Sequence, residues 1–207
     1  MLKIGICGFG TVGQSLVDHI VLHNDKISSN VSSDFAIAMI ADRSIEKKDY
    51  PNDIKVTTNP MDIPNDSSIS IVIELLGGVE LPYKIITESI KNKKHVITAN
   101  KALIAEHGDE IFRLARENNV YFGFEASVAG AIPIISTLMK NMANENIISI
   151  VGIINGTCNY ILDQMTSNNM SFDDALMSAK NLGYAEADPT FDINGMDAAH
   201  KISILSS

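Results

Sequence analysis

The chain has only two cysteines in 207 residues, Cys7 and Cys158, and they form no CxxC pair. That scarcity excludes a disulfide framework and a cysteine-rich zinc site, and it points to a reducing, cytoplasmic compartment. Positive charge is also short: 16 Lys and Arg stand against 25 Asp and Glu, a formal charge of −9. Nucleic acid and an anionic membrane surface are thereby excluded as main partners. No apolar run approaches the roughly 18 residues of a membrane span. The apolar start "MLKIGICGFG" is broken by glycines and lacks the long run and cleavage site of a signal peptide. Low-complexity tracts, internal repeats and linkers rich in Pro, Gly or Ser are absent too, so any second domain is closely joined to the first. What remains is 45% hydrophobic and 20% charged, the composition of a folded globular protein long enough for one large domain or two small ones.

Apolar periodicity alternates between strand and helix. "KIGICGF" reads as a strand, and Val12, Leu16, Val17, Ile20 and Val21 then fall on one helical face. Strands are expected at 35–41, weakly at 53–59, and at 68–78, where an uninterrupted apolar run suits a central parallel strand. A helix with Pro82 in its first turn, the strand "HVITAN", a helix over 102–118 and the strand "VYFGFEA" follow. This rhythm predicts an α/β fold, a Rossmann-type doubly wound parallel sheet. The texture changes near residue 130. "GAIPIISTLMKNMA" reads as a helix, the β-branched "IISIVGIIN" (147–155) as a strand, and two helical segments come next, the second capped by Ser171 and stopped by Gly183. A short final helix starts near Asp197; its neighbours "DAA" and "ISIL" suggest a mostly buried element.

Between the first strand and helix lies "GFGTVG", with Gly8, Gly10 and Gly13 in GxGxxG spacing around Phe9, Thr11 and Val12. The first glycine makes a tight turn, the second admits a pyrophosphate and the third lets helix pack closely on strand. The helix N-terminus then offers N–H groups to phosphate. Placed after a strand and before a helix, the loop marks a dinucleotide site. At the end of the second strand, Asp42 suits a ribose hydroxyl and so NAD. Arg43, with Lys47 and Lys48, suits the 2′-phosphate of NADP, and both readings stand.

Hydride chemistry needs a matching proton. Lys101 follows "HVITAN" at the carboxyl edge of the sheet, where open α/β sheets bind ligands, and Lys201 lies four residues after Asp197 on one helix face. A buried lysine can shuttle a proton. Asp188 and Asp192 read as an Asp-Pro turn and a helix cap.

The run "AKNLGYAEADPTFDINGMDAAHK" (179–201) resembles the signature of homoserine dehydrogenases. "TANKALIA" (98–105), "FEASVAGAIPII" (124–135) and "GIINGTCNYIL" (152–162) resemble the same family, in the same order. The resemblance implies reversible reduction of L-aspartate 4-semialdehyde to L-homoserine with NADH or NADPH, on the branch to threonine, methionine and isoleucine. It implies that Lys201 donates the proton, that Lys101 assists beside the nicotinamide, that Glu186 and Asp197 hold the substrate ammonium, and that Gly183 approaches the cofactor. It further implies a monovalent cation, sodium, held by the Glu125 side chain and the carbonyls of Val128, Gly130 and Ile132, and a homodimer to which 147–155 contributes. The implied domains are 1–130 for the dinucleotide and 131–207 as part of a substrate and dimerisation domain. Cys158 stands where the family commonly has threonine, which raises a rival, a phosphorylating semialdehyde dehydrogenase with a cysteine nucleophile. Family members continue well past Lys201. The resemblance therefore implies the amino-terminal two-thirds of such an enzyme, or a dinucleotide-binding module without turnover of its own.

Overall fold

A computed structural model describes residues 1–31 and 33–207. The chain divides into two compact units, Met1–Ile134 and Ile135–Ser207.

In the first unit, β1 (Leu2–Cys7) leads into α1 (Thr11–Leu22) and α2 (Asn24–Val31), then β2 (Phe35–Ala41) and β3 (Lys55–Thr57). After them come α3 (Asp62–Asn65), β4 (Ile71–Glu74), α4 (Glu80–Lys91), β5 (His95–Thr98), α5 (Lys101–Asn118) and β6 (Phe122–Gly123). The strands pair in the order β3-β2-β1-β4-β5-β6, all parallel, as the alternating pattern predicts for a doubly wound sheet. The order reverses between β1 and β4, and a crevice opens at the carboxyl ends of strands at such a switch point.

The two-residue pleat sorts side chains onto two faces. Ile4 and Ile6 of β1 join Val17 and Ile20 of α1 in one core cluster. Cys7, with Val72 of β4 and Val96 of β5, joins Ile85 of α4 and Leu103 of α5 in the other. In β2, Ala38 is an extra residue opposite the step from Ile4 to Gly5. That bulge changes the parity, so Ile37 and Ile40 reach the same cluster while Met39 reaches the opposite one.

The second unit is helical. Helix α6 (Ile134–Ser136) lies at the division and continues as a π turn over Thr137–Asn141; α7 (Gly156–Ser167), α8 (Phe172–Asn181), α9 (Thr190–Ile193) and α10 (Met196–Ser206) follow. Helices α7 and α8 meet through Ile161, Ala175 and Ala179, the small alanines permitting close approach. Ser171 caps α8 by accepting from the Asp174 N–H, as its sequence predicts.

Four expectations are corrected. The strand over 147–155 does not form, because a strand needs a hydrogen-bonding neighbour and the described residues of the second unit contain none. Its apolar side chains stand in solvent instead: Ile148 is 97% exposed, Val151 94% and Ile153 77%. The helix predicted over "GAIPIISTLMKNMA" starts only at Ile134, because Ala129 and Ala131 take left-handed φ values of 51° and 66°. The last strand of the sheet shrinks to Phe122–Gly123, since the chain turns at Glu125–Ser127. Helix α10 is buried at Asp197 and Ile204 and mostly exposed elsewhere, so it is not the enclosed element its apolar neighbours suggest.

At the amino-terminal edge of the sheet, the buried Lys94 donates to the carbonyls of Asp66 (2.6 Å) and Ile69 (2.8 Å). It ties the turn before β4 to the start of β5, and burial lowers its pKa. Lys94→Met leaves two carbonyls without their donor and is expected to cost about 2–3 kcal/mol of stability. Urea unfolding measures this, and dinucleotide binding at the opposite edge should stay unchanged.

Candidate active site

The glycine loop is shaped by close approach. Gly8 has φ +102°, and a Cβ at Gly13 would collide with the Gly8 carbonyl oxygen. Only glycine at both positions lets α1 start directly over β1. A Cβ at Gly10 would meet nothing within 4 Å, so that side of the loop is open, as a pyrophosphate requires. Thr11 and Val12 are exposed in the first turn of α1, where N–H groups lack intrahelical partners.

The Gly8 N–H donates to the Ala41 carbonyl at 2.8 Å. The Phe9 N–H donates to Asp42 Oδ2 at 2.9 Å, and Lys48 Nζ donates to the Phe9 carbonyl at 2.7 Å. Lys48 also pairs with Asp42 Oδ1 at 2.9 Å, and the Ser44 N–H and hydroxyl both donate to that oxygen at 2.8 Å. Burial alone would raise the Asp42 pKa, but the hydrogen bonds from Lys48, Ser44 and Phe9 outweigh it and hold the carboxyl far below its usual range. Arg43, next along the chain, is exposed.

Across the switch point, the fully buried Glu74 ends β4. It accepts from the Leu76 N–H (2.6 Å) and the Thr98 hydroxyl (2.6 Å); burial raises its pKa against those two bonds. The Thr98 hydroxyl accepts from the Asn100 N–H, and Asn100 caps α5 by accepting from Leu103 while donating to the Gly78 carbonyl. Lys101, the first residue of α5, is thus set at the carboxyl edge by polar groups anchored in the core.

The segment after β6 places Glu125 in a turn with Ser127, whose hydroxyl donates to the Phe124 carbonyl. Val128 is buried, and Gly130 and Ile132 are exposed. Val128, Gly130 and Ile132 alternate with the left-handed alanines Ala129 and Ala131. Such backbone costs about 1–2 kcal/mol per residue for L-amino acids and collects at ligand-holding loops. A carboxylate and backbone carbonyls are the donor types a hard monovalent cation takes, and of these the Ile132 carbonyl already accepts from the Ile134 N–H at 2.8 Å. No cluster of three His, Cys, Asp or Glu fit for a metal occurs among the described residues.

In the second unit, Lys201 Nζ pairs with the buried Asp197 at 2.7 Å and donates to the Ile154 carbonyl at 2.5 Å. Asn155 uses both ends of its amide. Its oxygen caps α7 by accepting from Cys158, and its Nδ2 donates to Asp197 and to Asp192, each at 2.8 Å. The Thr157 hydroxyl donates to the Tyr184 carbonyl at 2.6 Å and lies 3.2 Å from Asp192 Oδ2. Gly183 ends α8 with φ +78°. Tyr184 stacks on Tyr160, and Glu186 is exposed in the loop that follows.

Asp188 makes the turn expected of its Asp-Pro pair, its Oδ1 accepting from the Thr190 N–H and hydroxyl. Asp192 is not the expected helix cap: its carboxylate faces the Asn155–Asp197–Lys201 group, because α9 carries it to the start of α7. Asn155 and Thr157 also belong to this group, and sequence reasoning missed both. The Asn-Gly step before α7 reads as a cap, and only tertiary packing shows that the same amide bridges two carboxylates. The Cys158 thiol donates to the Asp192 carbonyl, and burial, with Asp192 and Asp197 nearby, raises its pKa. That holds it as a thiol, the opposite of what a nucleophile needs.

A family model described as the NAD-binding domain of homoserine dehydrogenase matches residues 8–125, and one described as homoserine dehydrogenase matches residues 133–207. The chain belongs to the homoserine dehydrogenase family. It is 44% identical over 206 residues to the homoserine dehydrogenase of Pseudomonas aeruginosa, covering 100% of this chain and 48% of that protein. Among solved structures, the homoserine dehydrogenase of Thiobacillus denitrificans matches with TM-score 0.90 and 43% identity over 99% of this chain and 48% of its own. A hyperthermophilic archaeal homoserine dehydrogenase in complex with NADPH matches with TM-score 0.84 and 30% identity, over 99% of this chain and 68% of its own. The chain thus spans about half the length of the curated relatives it matches, and about two-thirds of the archaeal enzyme.

Two outcomes check this geometry. Asn155→Ala removes a helix cap and leaves two carboxylates facing each other, and should cost about 2–4 kcal/mol in urea unfolding at neutral pH. Ala131→Gly relieves left-handed strain and should raise stability by up to about 1 kcal/mol, read as a higher thermal midpoint.

Proposed function

We propose that the chain is the amino-terminal part of an NAD(P)-dependent homoserine dehydrogenase, reducing L-aspartate 4-semialdehyde reversibly to L-homoserine. The observation that carries this is Lys201, held by the Asp197 carboxylate and the Ile154 carbonyl inside a family chain that also carries the dinucleotide loop. In this reading the first unit, about residues 1–130, binds the dinucleotide through Gly8–Gly13, with Arg43 and Lys101. Residues 131–207 supply part of the substrate and dimerisation domain.

A reduced dinucleotide held by the glycine loop would supply hydride to the aldehyde carbon, and Lys201 would donate the matching proton to the carbonyl oxygen, which gives the primary alcohol. An ammonium held by a carboxylate and a carbonyl is aimed, and a positioned general acid accelerates such a step by about 10²–10⁴. Lys101 stabilises the developing oxyanion by its charge. Glu186 and Asp197 orient the substrate ammonium by charge-assisted hydrogen bonds, and Asp192, bound to the same Asn155 amide as Asp197, adds a third carboxylate to that set. Gly183 approaches the dinucleotide. Glu125, with the carbonyls of Val128, Gly130 and Ile132, holds sodium in a structural role.

Pairing of two copies through residues 147–155 is supported by the exposure of the apolar side chains Ile148, Val151 and Ile153 in that segment. The setting is the cytoplasmic branch to threonine, methionine and isoleucine; no described helix is long and apolar enough to cross a membrane. A second reading rests on the chain spanning only 48% of its curated relatives: a dinucleotide-binding module without independent turnover.

The test is NAD(P)H oxidation with aspartate semialdehyde by the purified chain and its Lys201→Ala variant. Turnover that falls by about 10²–10⁴ in the variant, with dinucleotide affinity unchanged by fluorescence, is the expected result. Equal turnover in both removes Lys201 from the mechanism. No turnover in either, with binding intact, selects the module.

A further inference from the structure

An acidic residue at the end of the second strand of a dinucleotide fold ordinarily accepts from the ribose hydroxyls. Asp42 occupies that place, but its carboxylate is turned to the protein. Oδ1 accepts from the Ser44 N–H, the Ser44 hydroxyl and the Lys48 ammonium, and Oδ2 accepts from the Phe9 N–H, which holds that oxygen against the loop. Lys48 reaches past Asp42 to the Phe9 carbonyl, and its ammonium lies 6.0 Å from the Phe9 ring centroid. Both polar groups of Phe9 are therefore held by one ion pair, with Gln14 Nε2 a longer second donor to the carbonyl at 3.4 Å, while its ring is buried.

We propose that Asp42 and Lys48 form a clasp on the glycine loop, and that Asp42 positions this loop instead of reading the ribose. A peptide bond is planar and trans, so its C=O and the next N–H point in opposite directions. Lys48, by holding the Phe9 carbonyl, turns the Gly10 N–H away from itself. Gly10 is where the loop is open to a ligand. The clasp thus fixes the direction of a donor at the phosphate site, a contact that NADH and NADPH share. It also leaves Arg43, exposed beside it, to meet the 2′ substituent.

This inference rests on the dinucleotide reading of the first unit. The test is fluorescence titration of NADH and of NADPH against the unaltered protein and the variants Asp42→Asn, Lys48→Met and Lys48→Arg, each well below its own thermal midpoint. Losing a hydrogen bond to a charged group should weaken both dinucleotides alike in Asp42→Asn and Lys48→Met, by roughly tenfold. Lys48→Arg, which keeps charge and donors, should recover most of that loss, a rescue that a general loss of packing would not give. NADH weakened while NADPH is unchanged or tightened would overturn the proposal, because Asp42 would then be reading the ribose. Unchanged affinity for both in Lys48→Met would overturn it as well. If the unaltered protein binds neither dinucleotide, the dinucleotide reading fails and the clasp's role falls with it.

Discussion

The Gly8 carbonyl oxygen sits where a Cβ of residue 13 would have to be, and that contact sets the start of α1 over β1. Everything at the carboxyl edge of the sheet takes its place from there. With the helix seated on the strand, the loop between them bends at φ +102°, and the Phe9 ring drops into the core beside Val17 and Ile20. Asp42, one residue beyond β2, then lies within reach of the Phe9 amide. A side chain at residue 13 would force the helix outward, and those polar contacts would lose their geometry together.

Each unit holds charged or polar groups in its interior without leaving them unsatisfied. In the first unit Glu74 is fully buried yet has two donors, and through Thr98 and Asn100 it fixes the turn that begins at Lys101. In the second, Asn155 separates Asp192 from Asp197 with an amide that donates to both, while Lys201 neutralises Asp197. The lysine is held from two sides, by the Asp197 carboxylate and the Ile154 carbonyl, so it keeps little rotamer freedom.

The loop after β6 differs in kind. It is shaped by backbone strain, with two alanines in left-handed geometry, and not by a side-chain network. The same strain delays α6 until Ile134 and so replaces the regular helix that the apolar run 130–143 suggests.

Local chemistry in the sequence determined the parallel sheet, the glycine loop, the cap at Ser171 and the Asp197–Lys201 pair. Each follows from residues close in sequence or from a repeated apolar period, which act before any tertiary contact exists. Residues 147–155 carry as clear a strand pattern as β2 and still form no strand, because pairing depends on a neighbour that composition cannot supply. Only the tertiary structure decided the engagement of Asp42 by Lys48 and Phe9, and the entry of Asn155, Thr157 and Asp192 into the lysine's group. Those contacts join residues 33 to 42 positions apart, apart from the nearer Asp42–Lys48 pair. No local pattern encodes which donor a carboxylate meets at such separations; the packing of helices on strands and on one another does.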